Sequence, residues 1–253
     1  MIEVRRYGSG GPTVIVLHGG PGAPGYMAPV ARALADAFVV LEPLQRPSGT
    51  EPLTVARHVE DLDEVVRSLG AGARPALVGS SWGGMLALAY AAAHPEAAGA
   101  IVVIGSGTFD LAARARLREL LAERRSLPFG AQYTLAPLDE IEADEVPGRG
   151  FDRRANEETW NDMVRLQAEG VYPAAFRAIR VPVLMLHGAY DPHPGDMIRD
   201  GLLPFIPQLE YRQWERCGHY PWLERYARDD FYATLRAWLH AHAPTTTDRA
   251  PAQ

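Results

Sequence analysis

Two serines, a tryptophan and two glycines follow a short apolar run in "ALVGSSWGGMLALAY", which begins at Ala76. Within it, Gly79-Ser80-Ser81-Trp82-Gly83 fits the pattern G-x-S-x-G. Between a strand and a helix, that pattern makes a sharp turn that presents the middle serine as a nucleophile. Ser81 is therefore the candidate nucleophile, and Ser80 ends the strand. Gly79 and Gly83 carry no Cβ where neighbouring backbone crowds the turn, and Gly84 lets the following helix lie close to the sheet. The structural alternative for Ser81 is a plain helix N-cap, a position that serine favours.

A serine hydroxyl attacks a carbonyl at neutral pH only when a base takes its proton. Among eight histidines, His219 in "RCGHYPW" sits in a loop directly after the last strand-like run, "LEYRQW", and before the last helix. His240 and His242 lie on or beyond that helix, and His18 reads as a structural residue of its loop. The chain order serine, acid, histidine places the orienting acid after the preceding strand. There "VPVLMLHGAYDPHPG" supplies Asp191, with His193 as a competing imidazole two residues on. An oxyanion hole needs backbone donors aimed at the carbonyl oxygen. The glycine-rich "VLHGGPGAPGY" makes the N–H of Gly20 one candidate, and the N–H of Trp82, just after the nucleophile, is the other. Tyr26, Trp160, Tyr190, Tyr220 and Trp222 are candidate walls of an acyl pocket.

These loops need elements to hold them. "TVIVL" from Thr13, "FVVLE" from Phe38, "ALVGS" from Ala76, "AIVVI" from Ala100 and "VPVLMLH" from Val181 are short apolar runs rich in Val and Ile. Strands of a parallel sheet, buried on both faces, read this way. Val55, Val59, Leu62, Val66 and Leu69 recur at helical spacing, so that segment lies on a face of the sheet. The helix from Trp82 to Ala93 is apolar almost all round and ends at His94-Pro95. From Ser106 to Arg180 charge rises and no strand-like run appears, which predicts a mostly helical insertion over one end of the sheet.

At 253 residues, with 47% hydrophobic and 22% charged residues, the chain can bury one sizeable core. A formal net charge of −6 gives no basic field for neutralising phosphates, so nucleic acid is not an expected partner. The start shows no secretory pattern and no run reaches the ~18 apolar residues of a membrane span, which sets a soluble cytoplasmic protein as the expectation. The lone cysteine, Cys217, offers no internal disulfide and no metal-ligand cluster, and no metal site is expected.

Over residues 1–241 the sequence resembles the α/β-hydrolase superfamily. Within it, "HGGPG" from His18 and "GSSWGG" from Gly79 look like the prolyl iminopeptidase branch. The resemblance implies an α/β-hydrolase fold with a mostly parallel sheet and a small helical cap, and a serine peptidase or esterase without a cofactor. It also implies a taste for a free N-terminal proline, with acidic cap residues holding the ammonium; Glu140, Glu142, Asp144, Glu145, Glu157 and Glu158 are the candidates here. After the "FVVLE" strand that branch carries an Asp-Gln-Arg-Gly run, whereas this chain reads "EPLQRPSG", with Glu42 at the aspartate position. The expected organisation is a core of residues 1–105 and 181–243, a cap of 106–180 and a disordered tail of 244–253.

The function expected first is hydrolysis of an ester or amide of a small-to-medium acyl substrate through an acyl-enzyme. A prolyl iminopeptidase-type aminopeptidase acting on a short peptide stands second. An acyltransferase or cyclase with the same triad, and a ligand-binding protein on the same scaffold, complete the alternatives.

Overall fold

The apolar runs pair side by side as the alternation predicts. In the computed structural model, which describes residues 2–138 and 150–244, they form one seven-stranded sheet in the order β1-β3-β2-β4-β5-β6-β7. The strands are β1 (Val4–Tyr7), β2 (Thr13–Leu17), β3 (Val39–Pro43), β4 (Ala76–Ser80), β5 (Ala100–Ile104), β6 (Val183–Gly188) and β7 (Leu209–Trp214). All neighbours run parallel except β1, which pairs antiparallel with β3 from Val4 opposite Pro43 to Tyr7 opposite Val40. The sequence reading did not include β1. Its "VRRY" is short and charged, as a solvent-facing edge strand tends to be.

The helices are α1 (Ala28–Leu34), α2 (Val55–Ser68), α3 (Trp82–Ala93), α4 (Leu111–Glu123), α5 (Phe129–Tyr133), α6 (Arg153–Ala168), α7 (Gly195–Leu202) and α8 (Arg228–His242). Successive strand residues point to opposite faces, and each face has its own apolar layer. Ile15, Leu17, Leu77, Ile101, Val103, Val183 and Met185 pack with the apolar stripes of α2, α3 and α7. Val14, Val16, Val78, Val102, Ile104, Leu184 and Leu186 pack with α1 and α8. The helix α3 is buried on nearly every side, which explains why its sequence shows no polar face.

Between β5 and β6 the chain builds α4, α5, α6 and a 3-10 turn at Ala174–Ala178. Asp110 caps α4 by accepting the Ala113 N–H, and Asp152 caps α6 by accepting that of Ala155. The two longer helices bury little, α4 only Ala113 and α6 Ala155, Thr159 and Met163, whereas the 3-10 turn sets Phe176 into the core. Glu140, Glu142, Asp144 and Glu145, and the expected tail beyond Pro244, lie outside the described residues. No helix among the described residues is long and apolar enough to cross a membrane.

Candidate active site

Ser81 stands between β4 and α3 with φ +54° and ψ −118°, the one positive φ outside glycine among the described residues. Such a backbone costs of order 1–3 kcal/mol and persists only where its surroundings enforce it. Here they do. The Ser81 N–H donates to Ile104 O at the end of β5 (2.7 Å), and the Ser81 carbonyl accepts the N–H groups of Gly84 and Met85. A Cβ at Gly83 would collide with the Leu17 carbonyl of β2, so glycine is what lets α3 start this close to the sheet. Ser81 occupies the N-cap position of α3, yet its side chain makes no capping hydrogen bond. The hydroxyl is not used to hold the helix.

Asp191, in the loop after β6, is buried. Its Oδ2 lies 2.6 Å from Nδ1 of His219, in the loop after β7. Burial pushes the Asp191 carboxyl up, but the charges of His219, His193 and His187 and a hydrogen bond from His193 outweigh it and hold the carboxyl well below the usual range. An ionised carboxylate only accepts, so His219 carries its proton on Nδ1 and leaves the Nε2 lone pair open. His219 and Ser81 line the same cavity. Cys217, two residues before His219, is buried, and burial pushes its thiol up.

The loop after β2 contributes Gly20, at φ +43°, to the cavity wall. His18 fixes this loop. Gln45 N–H donates to His18 Nε2 (3.1 Å), which leaves the proton on Nδ1 to face the Gly19 carbonyl (3.0 Å). The Gln45 side chain then ties two loops together: its amide donates to the His18 carbonyl (2.8 Å), and its carbonyl accepts the Trp82 indole N–H (2.8 Å). Trp82 thus turns its ring away from the cavity while its backbone begins α3. The Gly19 N–H donates to the Tyr26 hydroxyl, and burial pushes that phenol up to about 12.

The cavity is about 770 Å³ and is lined by residues that include Gly20, Tyr26, Ser81, Trp160, His219 and Tyr220. Of the five aromatic candidates, Tyr26, Trp160 and Tyr220 are therefore at the wall. Tyr190 and Trp222 are not in the lining among the described residues. Trp222 is buried in the layer beneath, stacked on Tyr26 at 6.2 Å and 9°. Tyr190 points to the covering segment instead, donating its hydroxyl to Ala131 O (3.1 Å) under the Arg124 guanidinium. Residue type marked both as wall candidates, but the side on which each ring packs depends on its loop.

Phe129, Tyr133, Phe151, Asn156 and His193 line the cavity as well, and none of these was read as a wall residue from the sequence. Asn156 and Trp160 stand four apart on α6, which puts them on one helical face. Helix α6 is tied to the sheet loops by its acidic and polar side chains. Asp152 accepts from the N–H and Oγ of Ser48 (2.8 Å each), Glu158 from Leu53 N–H (2.8 Å) and Asp162 from Val55 N–H (2.8 Å). Asn156 donates to the Pro21 carbonyl (3.0 Å), and Thr159 meets His58 Nε2 at 2.9 Å. Glu158, one of the candidate ammonium anchors, is thus engaged with Leu53 and with Arg154.

A second buried carboxylate acts from the opposite side. Glu224 accepts the N–H groups of Leu135 and Ala136 (2.7 Å each) and of Gly218 (3.0 Å). It joins the stretch after α5 to the residue before His219, whose own N–H donates to Tyr133 O at 2.7 Å. In "PWLERY" this glutamate reads as an ordinary surface residue; its burial follows from the three amides that converge on it.

A family model described as the alpha/beta hydrolase family matches residues 14–234. The chain is similar to the proline iminopeptidase of Neisseria gonorrhoeae, at 30% identity over 199 residues covering 70% of this chain and 63% of that protein. It thus spans less than two thirds of that relative's length. The proline iminopeptidase of Lactobacillus helveticus matches at 26% identity over 91% of this chain and 90% of that protein. Among solved structures, a thermophilic esterase from Thermogutta terrifontis superposes with a TM-score of 0.68 at 20% identity, covering 94% of this chain and 93% of that one. At that identity the likeness concerns the fold.

Proposed function

Because this chain belongs to the alpha/beta hydrolase family, we propose that it is a serine hydrolase cleaving an uncharged ester or related acyl compound of small-to-medium size through an acyl-enzyme. The observation that carries this reading is the shared cavity: Ser81 and His219 face one space of about 770 Å³, with Asp191 2.6 Å behind the imidazole. That volume lies within the range of small-molecule sites.

In this mechanism His219 Nε2 takes the Ser81 proton as Oγ adds to the carbonyl carbon. Asp191 holds the ring in the required tautomer and stabilises the imidazolium that forms. The N–H groups of Gly20 and Trp82 receive the developing oxyanion, and such donors are worth about 2.7–4 kcal/mol each. His219 returns the proton to the leaving group, then activates a water that releases the acid and restores Ser81.

The preference for an uncharged substrate rests on the wall. Among the described residues the cavity lining contains no Asp, Glu, Lys or Arg, and Phe129 and Phe151 present exposed rings at it. A substrate ammonium buried there would need a carboxylate partner. The aminopeptidase reading is second, favoured by the similarity to proline iminopeptidases. Assaying p-nitrophenyl butyrate and prolyl-p-nitroanilide side by side tests the order. Ester turnover should exceed arylamide turnover in kcat/KM; dominant arylamide turnover reverses the assignment. A Ser81 that no fluorophosphonate labels in folded protein would instead favour a ligand-binding scaffold.

A further inference from the structure

Asp191 has more imidazole around it than a single base requires. Beside the His219 contact on Oδ2, its Oδ1 meets His193 Nδ1 at 2.8 Å and the His193 N–H at 2.9 Å. His187 Nε2 stands 3.4 Å from Oδ2 and 2.9 Å from the His193 carbonyl. The His193 and His219 rings are stacked, with centroids 4.8 Å apart at 25°, and both line the cavity. One donor atom from each of Asp191, His193 and His219 lies within 4.8 Å of the other two. The acyl transfer described above passes no proton through His193.

We propose that Asp191, His193 and His219 form a reversible site for a divalent transition cation, zinc(II) foremost, whose occupancy switches hydrolysis off. Two imidazoles and one carboxylate are a donor set that zinc takes, with an open position left for water. Zinc bonds of about 2.0–2.2 Å need donors about 3.3 Å apart in a tetrahedron, so the carboxylate–imidazole pairs, at 2.6 and 2.8 Å, must open by about half an ångström. The loop holding His193 can turn that ring without disturbing a strand, since it lies between β6 and α7. Imidazole nitrogen favours zinc, copper(II) or nickel(II) over magnesium or calcium.

The switch follows from the tautomer. A cation on Nδ1 takes the lone pair left when the Nδ1 proton departs, and a neutral imidazole then carries its proton on Nε2. His219 in that form has no lone pair to accept the Ser81 proton. No proton is lost overall from neutral rings; it moves from one nitrogen to the other through water. His187 stays outside the ligand set, because its Nε2 faces the His193 carbonyl at 2.9 Å. Tyr133, whose ring is 5.7 Å from that of His219 and 6.3 Å from that of His193, closes the site with an aromatic edge. The lone cysteine gave the sequence no metal signal; these donors come from two loops that meet only in the fold.

The test is a zinc titration against a chromophoric chelator on the Ser81→Ala protein, which measures binding without turnover. One equivalent should bind, magnesium should not compete, and His193→Gln should weaken zinc by about tenfold or more. If the glutamine variant does not fold, His193→Phe keeps a stacked ring and removes both donors. In the turnover assay zinc should inhibit the wild type and a chelator should restore it, an arm that depends on His219 being the base. The binding arm does not, so failure of the hydrolase reading is distinguishable. Absence of zinc binding at concentrations well above that of the protein overturns the site, as does an affinity that His193→Gln or His193→Phe leaves unchanged.

Discussion

The loops that end β2, β4, β6 and β7 and the segment between β5 and β6 that covers them meet at one cavity, but they are held by different bonds. Below, the loops inherit their positions from a continuous parallel sheet with an apolar layer on each face. Above, α4 and α6 bury four side chains between them. The covering segment is joined to the loops by carboxylates that accept backbone N–H groups: Asp152, Glu158 and Asp162 reaching down, and Glu224 reaching up. A continuous sheet core fixes the loops that carry Ser81, Asp191 and His219, whereas helices α4 and α6 rest on a few side-chain hydrogen bonds to the sheet loops. Local opening is expected where apolar contacts are few.

The largest effect separates chemistry from folding on the lower side. Ser81→Ala should cut ester turnover by at least about a thousandfold while leaving the melting temperature close to that of the wild type, because the hydroxyl caps nothing. Wild-type turnover in that variant would remove the lower side's claim to the chemistry.

The next effect is a pH dependence at a contact between the two sides. Burial, against the pull of Asp61, brings the His58 imidazole down to about 4, below the ordinary 6.5 of an unfolded chain. Between those values the unfolded state binds more protons, so stability is fully present above about pH 6.5 and falls by up to about 3 kcal/mol as pH drops to about 4. Urea midpoints at pH 7 and pH 4.5 check this; His58→Gln should flatten the difference, and an equal slope in the variant would exclude His58 as its source.

Glu224→Gln should destabilise by about 2 kcal/mol, since the new amide NH₂ faces a backbone donor and leaves it unpaired. Because Gly218 is one of its partners, kcat should fall as well as stability, measurable by thermal melts and steady-state kinetics together. Asp152→Ala is the smallest: the loss of the α6 cap and the Ser48 bonds should cost about 1 kcal/mol. It should raise KM more than it lowers kcat. A kcat effect as large as that of Glu224→Gln would show that the upper side shares in the chemistry, and the contrast between the two sides would fail.

The two sides also differ in how far they could be read beforehand. Strands β2 to β6 were visible because buried parallel strands are continuous Val- and Ile-rich runs, β7 from its apolar and polar alternation in "LEYRQW", and the Ser81 turn because its glycines answer to crowding within a few residues. Edge strand β1 and the short α1 were missed, the first because its charges conceal a strand only four residues long. Glu224 and Gln45 escaped because their meaning lies in partners far along the chain: Glu224 with Leu135, Gln45 with His18 and Trp82. Tyr190 and Trp222 looked like Tyr26 and Tyr220, and loop path alone sent them elsewhere.

By itself, then, the sequence determined the order of strand, loop and helix, the fold class and the turn that presents Ser81, because apolar periodicity and turn sterics act over a few residues. The tertiary structure decided which aromatics face the cavity, which carboxylates join the covering segment to the loops, and that His193 shares Asp191 with His219. Those outcomes depend on segments a hundred or more positions apart coming into contact, as His58 and Thr159 or Pro21 and Asn156 do. Only the packed sheet and the segment laid over it set such distances.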